Sequence, residues 1–154
     1  MTQSPSPRER ARVLILCTGN SCRSQMAEGL LRHMAGDRFE VHSAGSQPAG
    51  YVTPMAIQVM KEIGIDISNH SSKSMHLFLG QPFDYVLTVC DNANEACPLF
   101  PGNYRRIHRD FYDPTRTVGS ELQRLAAFRQ VRDELKAWLQ ELFYIPEDGR
   151  APEE

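Results

Sequence analysis

The sequence predicts a single α/β domain in which helices cover both faces of a central four-stranded parallel sheet. Strand-like and helix-like segments alternate along the chain in the order β-α-β-α-β-β-α. The first strand-like run, Arg12–Leu16, is apolar on both faces, which is typical of a central strand in a parallel sheet. The length of 154 residues corresponds to one domain of ordinary size.

Four short segments have strand-like composition. The predicted strands are Arg12–Leu16, Phe39–Ser43, Phe83–Val89 and Tyr104–His108. Parallel strands of such a fold end at one common edge of the sheet, and ligands bind beyond that edge. The loop after the first strand is therefore the first place to look for chemistry.

The first two helices are predicted from periodicity and from their end signals. The first, Ser24–Met34, carries apolar residues on one side. The second starts with Thr53 as N-cap and Pro54 in the first helical position, and ends at Gly64. Its buried residues are predicted to be Ile57, Met60 and Ile63.

The last helix begins at Ser120, where Gln123 completes a capping box. Apolar residues then recur at steps of three and four, which predicts one buried stripe. We expect this stripe to be core packing; it comprises Phe128, Val131, Leu135, Trp138 and Leu142.

Composition excludes several classes of protein. Hydrophobic residues make up 41% and charged residues 23%, which suits a folded soluble domain. The net charge of −2 disfavours a general nucleic-acid binder. The longest apolar run, Val13–Cys17, is far too short to span a membrane. We expect a cytoplasmic monomer with a single folded domain that spans 11–145, and disordered tails at 1–10 and 146–154.

The four cysteines are Cys17, Cys22, Cys90 and Cys97. A cytoplasmic location would keep them reduced unless they take part in redox chemistry. Their spacing does not match the close pairs of structural zinc sites, so we expect no metal at these cysteines. We also expect no cofactor. A zinc-binding or oxyanion-binding module without catalysis stays open as an alternative.

The loop between the first strand and the first helix has the composition of an anion cradle. It reads Cys17, Thr18, Gly19, Asn20, Ser21, Cys22, Arg23 and Ser24. Successive backbone N–H groups in such a loop, together with the following helix N-terminus, favour a bound oxyanion. We expect Gly19 to permit the sharp turn, and Asn20 tolerates left-handed backbone geometry.

The ends of this loop supply a nucleophile and an anion ligand. The donors of the cradle are expected to lower the pKa of Cys17 and make it a thiolate near neutral pH. Arg23 offers a planar fork that matches two oxygens of a tetrahedral oxyanion. Ser24 could donate a further hydrogen bond to the thiolate. The alternative is a buried structural Cys17 beside a solvated Arg23.

At this point the sequence resembles a known family. Cys17–Gly29 looks like the signature of thioredoxin-coupled arsenate reductases, which share the low-molecular-weight protein tyrosine phosphatase fold. The likeness continues through Ser43–Gly45, Ile65–His70 and Asp113-Pro114, and covers roughly residues 12–143. It implies this fold and an oxyanion substrate, either arsenate or phosphate.

The resemblance also implies a relay of thiols. Cys17 would attack arsenate, and Cys90 would then attack Cys17, releasing arsenite and forming a disulfide. Cys97 would next attack Cys90, and thioredoxin would reduce the resulting Cys90–Cys97 disulfide. The segment between these two cysteines resembles the redox helix of the reductases and would have to unwind. Cys22 is interpreted as a packing residue of the loop.

By the same resemblance Asp113 is the general acid that protonates the leaving oxygen. The alternative function is a phosphatase that works through a Cys17 phosphoenzyme, with the extra cysteines protecting Cys17 from overoxidation. The regions around Tyr51 and Tyr112 offer no clear aromatic wall, which favours a small inorganic substrate.

Some reductases of this family bind potassium near the loop. Asn20, Glu28 and Ser43 match three of the ligand positions, but Lys73 stands where those members have a carboxylate. We hypothesise that the Lys73 ammonium takes the place of the cation and pairs with Glu28, so that no potassium is required.

Overall fold

The computed structural model describes residues 10–147. Its strands are β1 (Ala11–Cys17), β2 (Phe39–Gly45), β3 (Tyr85–Thr88) and β4 (Arg105–His108). Its helices are α1 (Arg23–Ala35), α2 (Pro54–Glu62), α3 (Asp91–Ala96) and α4 (Glu121–Leu142). The tails predicted at 1–10 and 146–154 lie almost entirely outside the described residues.

The four strands form one parallel sheet in the order β2-β1-β3-β4. The predicted four-stranded parallel sheet is therefore confirmed. The strand β1 lies in the middle, and its residues Val13–Leu16 are completely buried. The register aligns Cys17 with Gly45 of β2, and Leu16 with Thr88 of β3. The C-terminal ends of these three strands thus meet at one edge of the sheet.

Three helices pack as a group, since α1, α2 and α4 contact one another. The capping box of α4 is confirmed: the Ser120 hydroxyl accepts from the Gln123 N–H, and the Gln123 side chain accepts from the Ser120 N–H. Within the predicted stripe, Phe128, Val131 and Leu135 are buried, whereas the last two members are partly buried against the core.

The buried face of α2 differs from the prediction. The N-cap Thr53 and the first helical residue Pro54 are as expected. The buried residues are Ala56, Val59 and Met60, while Ile57 and Ile63 are only partly buried. The periodicity marks which residues are apolar, but the contacts of α2 with α1 and α4 decide which of them lie innermost.

The short helix α3 has no counterpart in the apolar periodicity. It begins after Cys90, which acts as its N-cap, and ends before Cys97. Among its six residues only Ala93 is buried. A helix with one small buried side chain has no apolar stripe for the sequence to display. It lies against β1 and β3, next to the loop that follows β1.

Within residues 10–147, no helix combines the length and apolar character needed to cross a lipid bilayer.

Candidate active site

The candidate site is the loop that joins β1 to α1. It starts at Cys17, the last residue of β1, and ends at Arg23, the first residue of α1. The segments that follow β2 and β3 surround it, because those strands end at the same edge of the sheet.

The carbonyl groups of this loop are all turned outward. Backbone N–H groups of the segment after β2 donate to four of them, over 2.8 to 3.2 Å, and the Gln25 amide donates to the fifth. The pairs are Ser46 to Cys17, Gln47 to Thr18, Ala49 to Gly19, Gln25 to Asn20 and Thr53 to Ser21. In a trans peptide the next N–H points opposite to the carbonyl. The N–H groups of 18–22 therefore point inward and form the predicted cradle.

The sharp turn of the loop falls at Asn20, not at Gly19. Asn20 has a φ of 47°, in the left-handed region, as its tolerance for that geometry predicted. Gly19 has an ordinary backbone, and a Cβ there would meet its nearest neighbour, the Ser21 hydroxyl, at 3.4 Å. The expectation that Gly19 permits the turn is wrong, because the side chain that stabilises the strained position belongs to Asn20.

Asn20 is completely buried, and both polar atoms of its side-chain amide form hydrogen bonds. Its Nδ2 donates to the hydroxyls of Ser24 and Ser43 at 2.8 and 2.9 Å. Its Oδ1 accepts from the backbone N–H of Lys73 at 2.8 Å and from Gln25 at 3.1 Å. Buried polar groups that are all satisfied make a rigid network, so this residue fixes the shape of the cradle.

Cys17 lies at the base of the cradle with 2% of its surface exposed. Its Sγ is 2.8 Å from the Ser24 hydroxyl and accepts from the Asn20 N–H at 3.2 Å. Burial is the dominant influence and raises the pKa of the Cys17 thiol, while the Ser24 donors and the Arg23 charge lower it. The expectation of a lowered pKa for Cys17 is therefore wrong, because the cost of burying the thiolate outweighs the stabilisation by its hydrogen-bond donors.

Arg23 and Asp113 lie together at the mouth of the cradle. The Arg23 side chain is 11% exposed, and its Nη2 is 3.7 Å from Asp113 Oδ2. Its Nη1 donates to the Phe111 carbonyl at 2.9 Å, which orients the guanidinium. The other carboxylate oxygen of Asp113 accepts from the Thr115 N–H and hydroxyl. Both groups are thus held in place by neighbours rather than left free.

Cys90 also lies beside the cradle. Its Sγ is 3.1 Å from the hydroxyl of Thr18, the residue that follows Cys17, and it is 3% exposed. Cys97 is half-buried at the other end of α3, where burial raises the pKa of its thiol and Arg106 lowers it. All four cysteines are free thiols.

Cys22 is 3% exposed, and burial raises the pKa of its thiol well above the ordinary value. It belongs to the apolar core, in agreement with a packing role. Within the described part of the chain, no three His, Cys, Asp or Glu side chains are placed to hold a metal ion together.

The environment of Glu28 differs from the hypothesis. Glu28 is buried, accepts a hydrogen bond from the Ser43 hydroxyl, and pairs with Arg32 at 2.7 Å. The Lys73 ammonium instead donates to the Ser71 carbonyl at 2.7 Å. Among the described residues no ion pair joins Lys73 to Glu28. Arg32 lies one helical turn along α1 from Glu28, and its guanidinium occupies the carboxylate instead.

Comparison with known proteins identifies the family. The family model of low molecular weight phosphotyrosine protein phosphatases matches residues 12–148. The chain belongs to this family. An arsenate reductase of Halalkalibacterium halodurans is 47% identical over 123 residues, covering 80% of this chain and 88% of that protein.

Solved structures agree with this assignment. The structure of an arsenate reductase in the oxidized state superposes with a TM-score of 0.74 at 29% identity, covering 86% of this chain and 96% of that one. A thioredoxin-dependent arsenate reductase of Corynebacterium glutamicum superposes with a TM-score of 0.66 at 28% identity, covering 88% of this chain and 61% of that one. The resemblance noted in the sequence is confirmed.

One feature of this family member was not expected. A cleft of about 380 Å³ lies beside the cradle and the Asp113 loop. Its walls include Ser21, Tyr51, Pro114 and Phe128. Tyr51 therefore does contribute an aromatic group near the site, although its side chain is 60% exposed.

Sequence reasoning assigned no role to two residues of the site, although both lie in segments that carry the family resemblance. Gln25 is completely buried in α1 and holds both oxygens of Asn20. Gly45 lies at the end of β2, and a Cβ there would come within 2.5 Å of the Thr18 carbonyl. A polar residue inside an otherwise buried helix was the available signal for Gln25. Apart from that resemblance nothing local marks Gly45, because the close approach is to the Thr18 carbonyl, which is distant in sequence.

Ser24→Ala should raise the pKa of Cys17, because it removes a donor that favours the thiolate. A higher pKa leaves less thiolate at neutral pH, so alkylation of Cys17 should slow several-fold there. The measurement is the iodoacetamide rate against pH, with the labelled residue identified by mass spectrometry. Ser21→Ala, which removes a hydroxyl from the same loop, is the control. An unchanged profile in Ser24→Ala would contradict this account of the thiol.

Gly45→Ala should weaken phosphate binding by roughly 100-fold or more, because the added methyl displaces the cradle. Gly19→Ala should fold normally and lose much less, since its Cβ meets only ordinary contacts. Titration calorimetry with phosphate measures both. The opposite ranking of the two variants would show that the turn, not the strand contact, limits the loop.

Turnover of the wild type should be equal in potassium and in tetramethylammonium, because Ser43 and Arg32 already occupy both Glu28 oxygens. Arg32→Met removes the arginine from the buried carboxylate and leaves only His70, 3.7 Å away, so this variant should lose stability and gain a potassium response. Thermal melts and steady-state rates at constant ionic strength test this, with the exposed Lys61→Met as control. A several-fold stimulation of wild-type turnover by potassium would contradict the hypothesis that the enzyme requires no potassium.

Proposed function

We propose that this protein is a cytoplasmic arsenate reductase that uses three of its cysteines in turn and is reset by thioredoxin. The observation that carries the proposal is the second thiol beside the cradle, with Cys90 Sγ 3.1 Å from the Thr18 hydroxyl. The curated relative at 47% identity is named an arsenate reductase, which supports the same reaction. A phosphatase needs no thiol at this position.

The first step is attack on the bound oxyanion. The inward N–H groups of the cradle and the Arg23 guanidinium hold the oxygens of arsenate. The Cys17 thiolate forms a bond to arsenic. Asp113, which lies 3.7 Å from Arg23, donates a proton to one oxygen, which leaves as water. The product is a Cys17 thioester of arsenic(V).

The second step reduces the arsenic. The Cys90 thiolate attacks Cys17 Sγ and forms a disulfide with it. The pair of electrons of the sulfur–arsenic bond remains on arsenic, which departs as arsenite. Two thiols have lost two electrons and arsenic has gained them, so the step balances. Thr18 positions Cys90 for this attack through the contact with its hydroxyl.

The third step returns Cys17 to its thiol. Cys97 attacks Cys90, and the new Cys90–Cys97 disulfide becomes the substrate of thioredoxin. While the segment is helical, the two residues are about 10 Å apart along the axis, beyond the roughly 7 Å that a disulfide spans. The segment must therefore open. The C. glutamicum relative is named thioredoxin-dependent, which favours thioredoxin as the electron donor.

Phosphatase activity is the second candidate function. The family model that matches this chain carries the phosphatase name, and the cradle accepts phosphate as readily as arsenate because the two have the same shape and charge. The cleft lined by Tyr51 could receive an organic group of a phosphomonoester. Without a second thiol in the chemistry, water would release phosphate from Cys17.

The first experiment is arsenate-dependent NADPH oxidation with thioredoxin and thioredoxin reductase. We expect turnover in the wild type that disappears when thioredoxin is left out. No turnover, together with clear hydrolysis of an aryl phosphate, would instead favour the phosphatase.

Cys90→Ser should abolish arsenate reduction, by at least about 1000-fold, because no thiol is left to attack Cys17. Its hydrolysis of an aryl phosphate should persist, since the cradle is unchanged. Cys97→Ser should complete one turnover and stop with a Cys17–Cys90 disulfide, which peptide mapping detects. Cys22→Ser is the matched control and should retain both activities. A Cys90→Ser enzyme that still reduces arsenate would rule out the relay as drawn.

A further inference from the structure

The helix α3 depends on polar contacts for its stability. It has six residues, of which only Ala93 is buried. A helix this short does not persist on its own in water, because its nucleation is unfavourable. Whatever contacts the ends of α3 therefore determines how often it opens.

The strand β4 and the segment just after it supply these contacts. Arg106 and His108 face the same side of β4, because alternate residues of a strand do so, and Asp110 lies two residues beyond the end of the strand. These three side chains form the row that contacts α3. Arg106 Nη2 donates to the Asn94 carbonyl and, at 3.0 Å, to Asn94 Oδ1. Asp110 Oδ1 accepts from the Asp91 N–H at 3.1 Å. The row thus reaches both ends of the helix.

His108 links the two ends. Its Nε2 is 2.7 Å from the Asp91 carboxylate, in the first turn of α3. Its Nδ1 is 2.8 Å from the Thr88 hydroxyl at the end of β3. That hydroxyl in turn lies 3.3 Å from Asn94 Oδ1, near the last turn. One imidazole therefore joins the residue after Cys90 to the residue three positions before Cys97.

We propose that Arg106 and His108 are positioning residues that hold the Cys90–Cys97 segment helical and so set the rate of the second disulfide exchange. This inference rests on the proposed function. In that exchange Cys97 forms a bond to Cys90 Sγ, the Cys17–Cys90 bond breaks, and Cys17 leaves as a thiolate. Cys97 attacks as a thiolate and Cys17 leaves as a thiolate, so charge and protons balance and no net oxidation occurs.

The contacts affect the two disulfide steps differently. Attack of Cys90 on Cys17 uses the closed helix, in which Cys90 is held beside Thr18. Attack of Cys97 on Cys90 uses the open segment, because the closed helix keeps them apart. Contacts that favour the closed form therefore favour the first step and restrain the second.

The variants are His108→Ala and Arg106→Lys. The lysine keeps a positive charge near Cys97, whose pKa Arg106 lowers, but cannot reproduce both contacts with Asn94. The matched control is Arg105→Lys, on the opposite side of the same strand. All variants keep the cysteines and the cradle intact.

The first measurement is hydrogen exchange of the reduced protein, read by mass spectrometry on a peptide that spans 90–98. Loss of a hydrogen bond to a charged group should speed exchange of the α3 amides by roughly tenfold in His108→Ala and Arg106→Lys, and leave Arg105→Lys unchanged. Unchanged α3 exchange in both test variants would overturn the proposal. This measurement needs no arsenate and is independent of the reaction.

The second measurement follows the two disulfides after rapid mixing with arsenate, with acid quenching and peptide mapping. The Cys17–Cys90 disulfide should form at a rate within about twofold of wild type, because the closed helix stays the main form even when a minor open population rises about tenfold. Its conversion to Cys90–Cys97 should accelerate by the same factor as hydrogen exchange, because both report the open population. A merely structural role would slow both steps, and either that result or an unaltered conversion would overturn the proposal.

The two hypotheses fail in different ways. If the wild type forms no disulfide on addition of arsenate, the proposed function is wrong. The role of Arg106 and His108 in the second disulfide exchange is then wrong as well. If the wild type forms both disulfides but the conversion is not faster in variants whose α3 exchange has increased, only the positioning role is wrong.

Discussion

The orientation of five peptide groups underlies the rest of this structure. The carbonyls of residues 17–21 are each held outward by a donor from another part of the chain, so the following N–H groups must face inward. That arrangement needs the segment after β2 to run beside the loop, and it needs Asn20 in the left-handed region. It also needs a glycine at position 45, where β2 passes within contact of the Thr18 carbonyl. The parallel sheet brings these parts together, since its strands end at one edge.

The same edge of the sheet brings the thiols together. Cys17 ends β1 and Cys90 follows β3, so neighbouring parallel strands deliver both to the cradle. Burial raises the pKa of the Cys17 thiol, while the Ser24 hydrogen bonds and the Arg23 charge lower it. The site thus balances desolvation against a few fixed donors. The third thiol, Cys97, lies at the far end of α3. Polar contacts with β4 are the main stabilisation of this helix, so the stability of α3 determines how often Cys97 can reach Cys90.

Much of this could be predicted from the sequence, and the failures have identifiable causes. The four strands, the helices α1, α2 and α4, the capping box at Ser120 and the cradle loop follow from local patterns, because each depends on residues close together in the chain. The hypothesis about Lys73 failed because a competing cation, Arg32, reaches Glu28 from within α1. The prediction of a lowered Cys17 pKa failed because the depth of burial is not visible in a loop motif.

The sequence by itself determined the fold class and the loop that carries Cys17 and Arg23, since apolar periodicity and a strand–loop–helix motif are local properties. Only the tertiary structure decided how that loop is held. Gln25, Gly45 and the segment after β2 act on it through contacts between residues that are distant in sequence. It also decided that His108 touches the helix between Cys90 and Cys97, because that contact exists only once β4 has paired with β3. Local patterns specify which elements form, whereas contacts across the sheet specify what each side chain can reach.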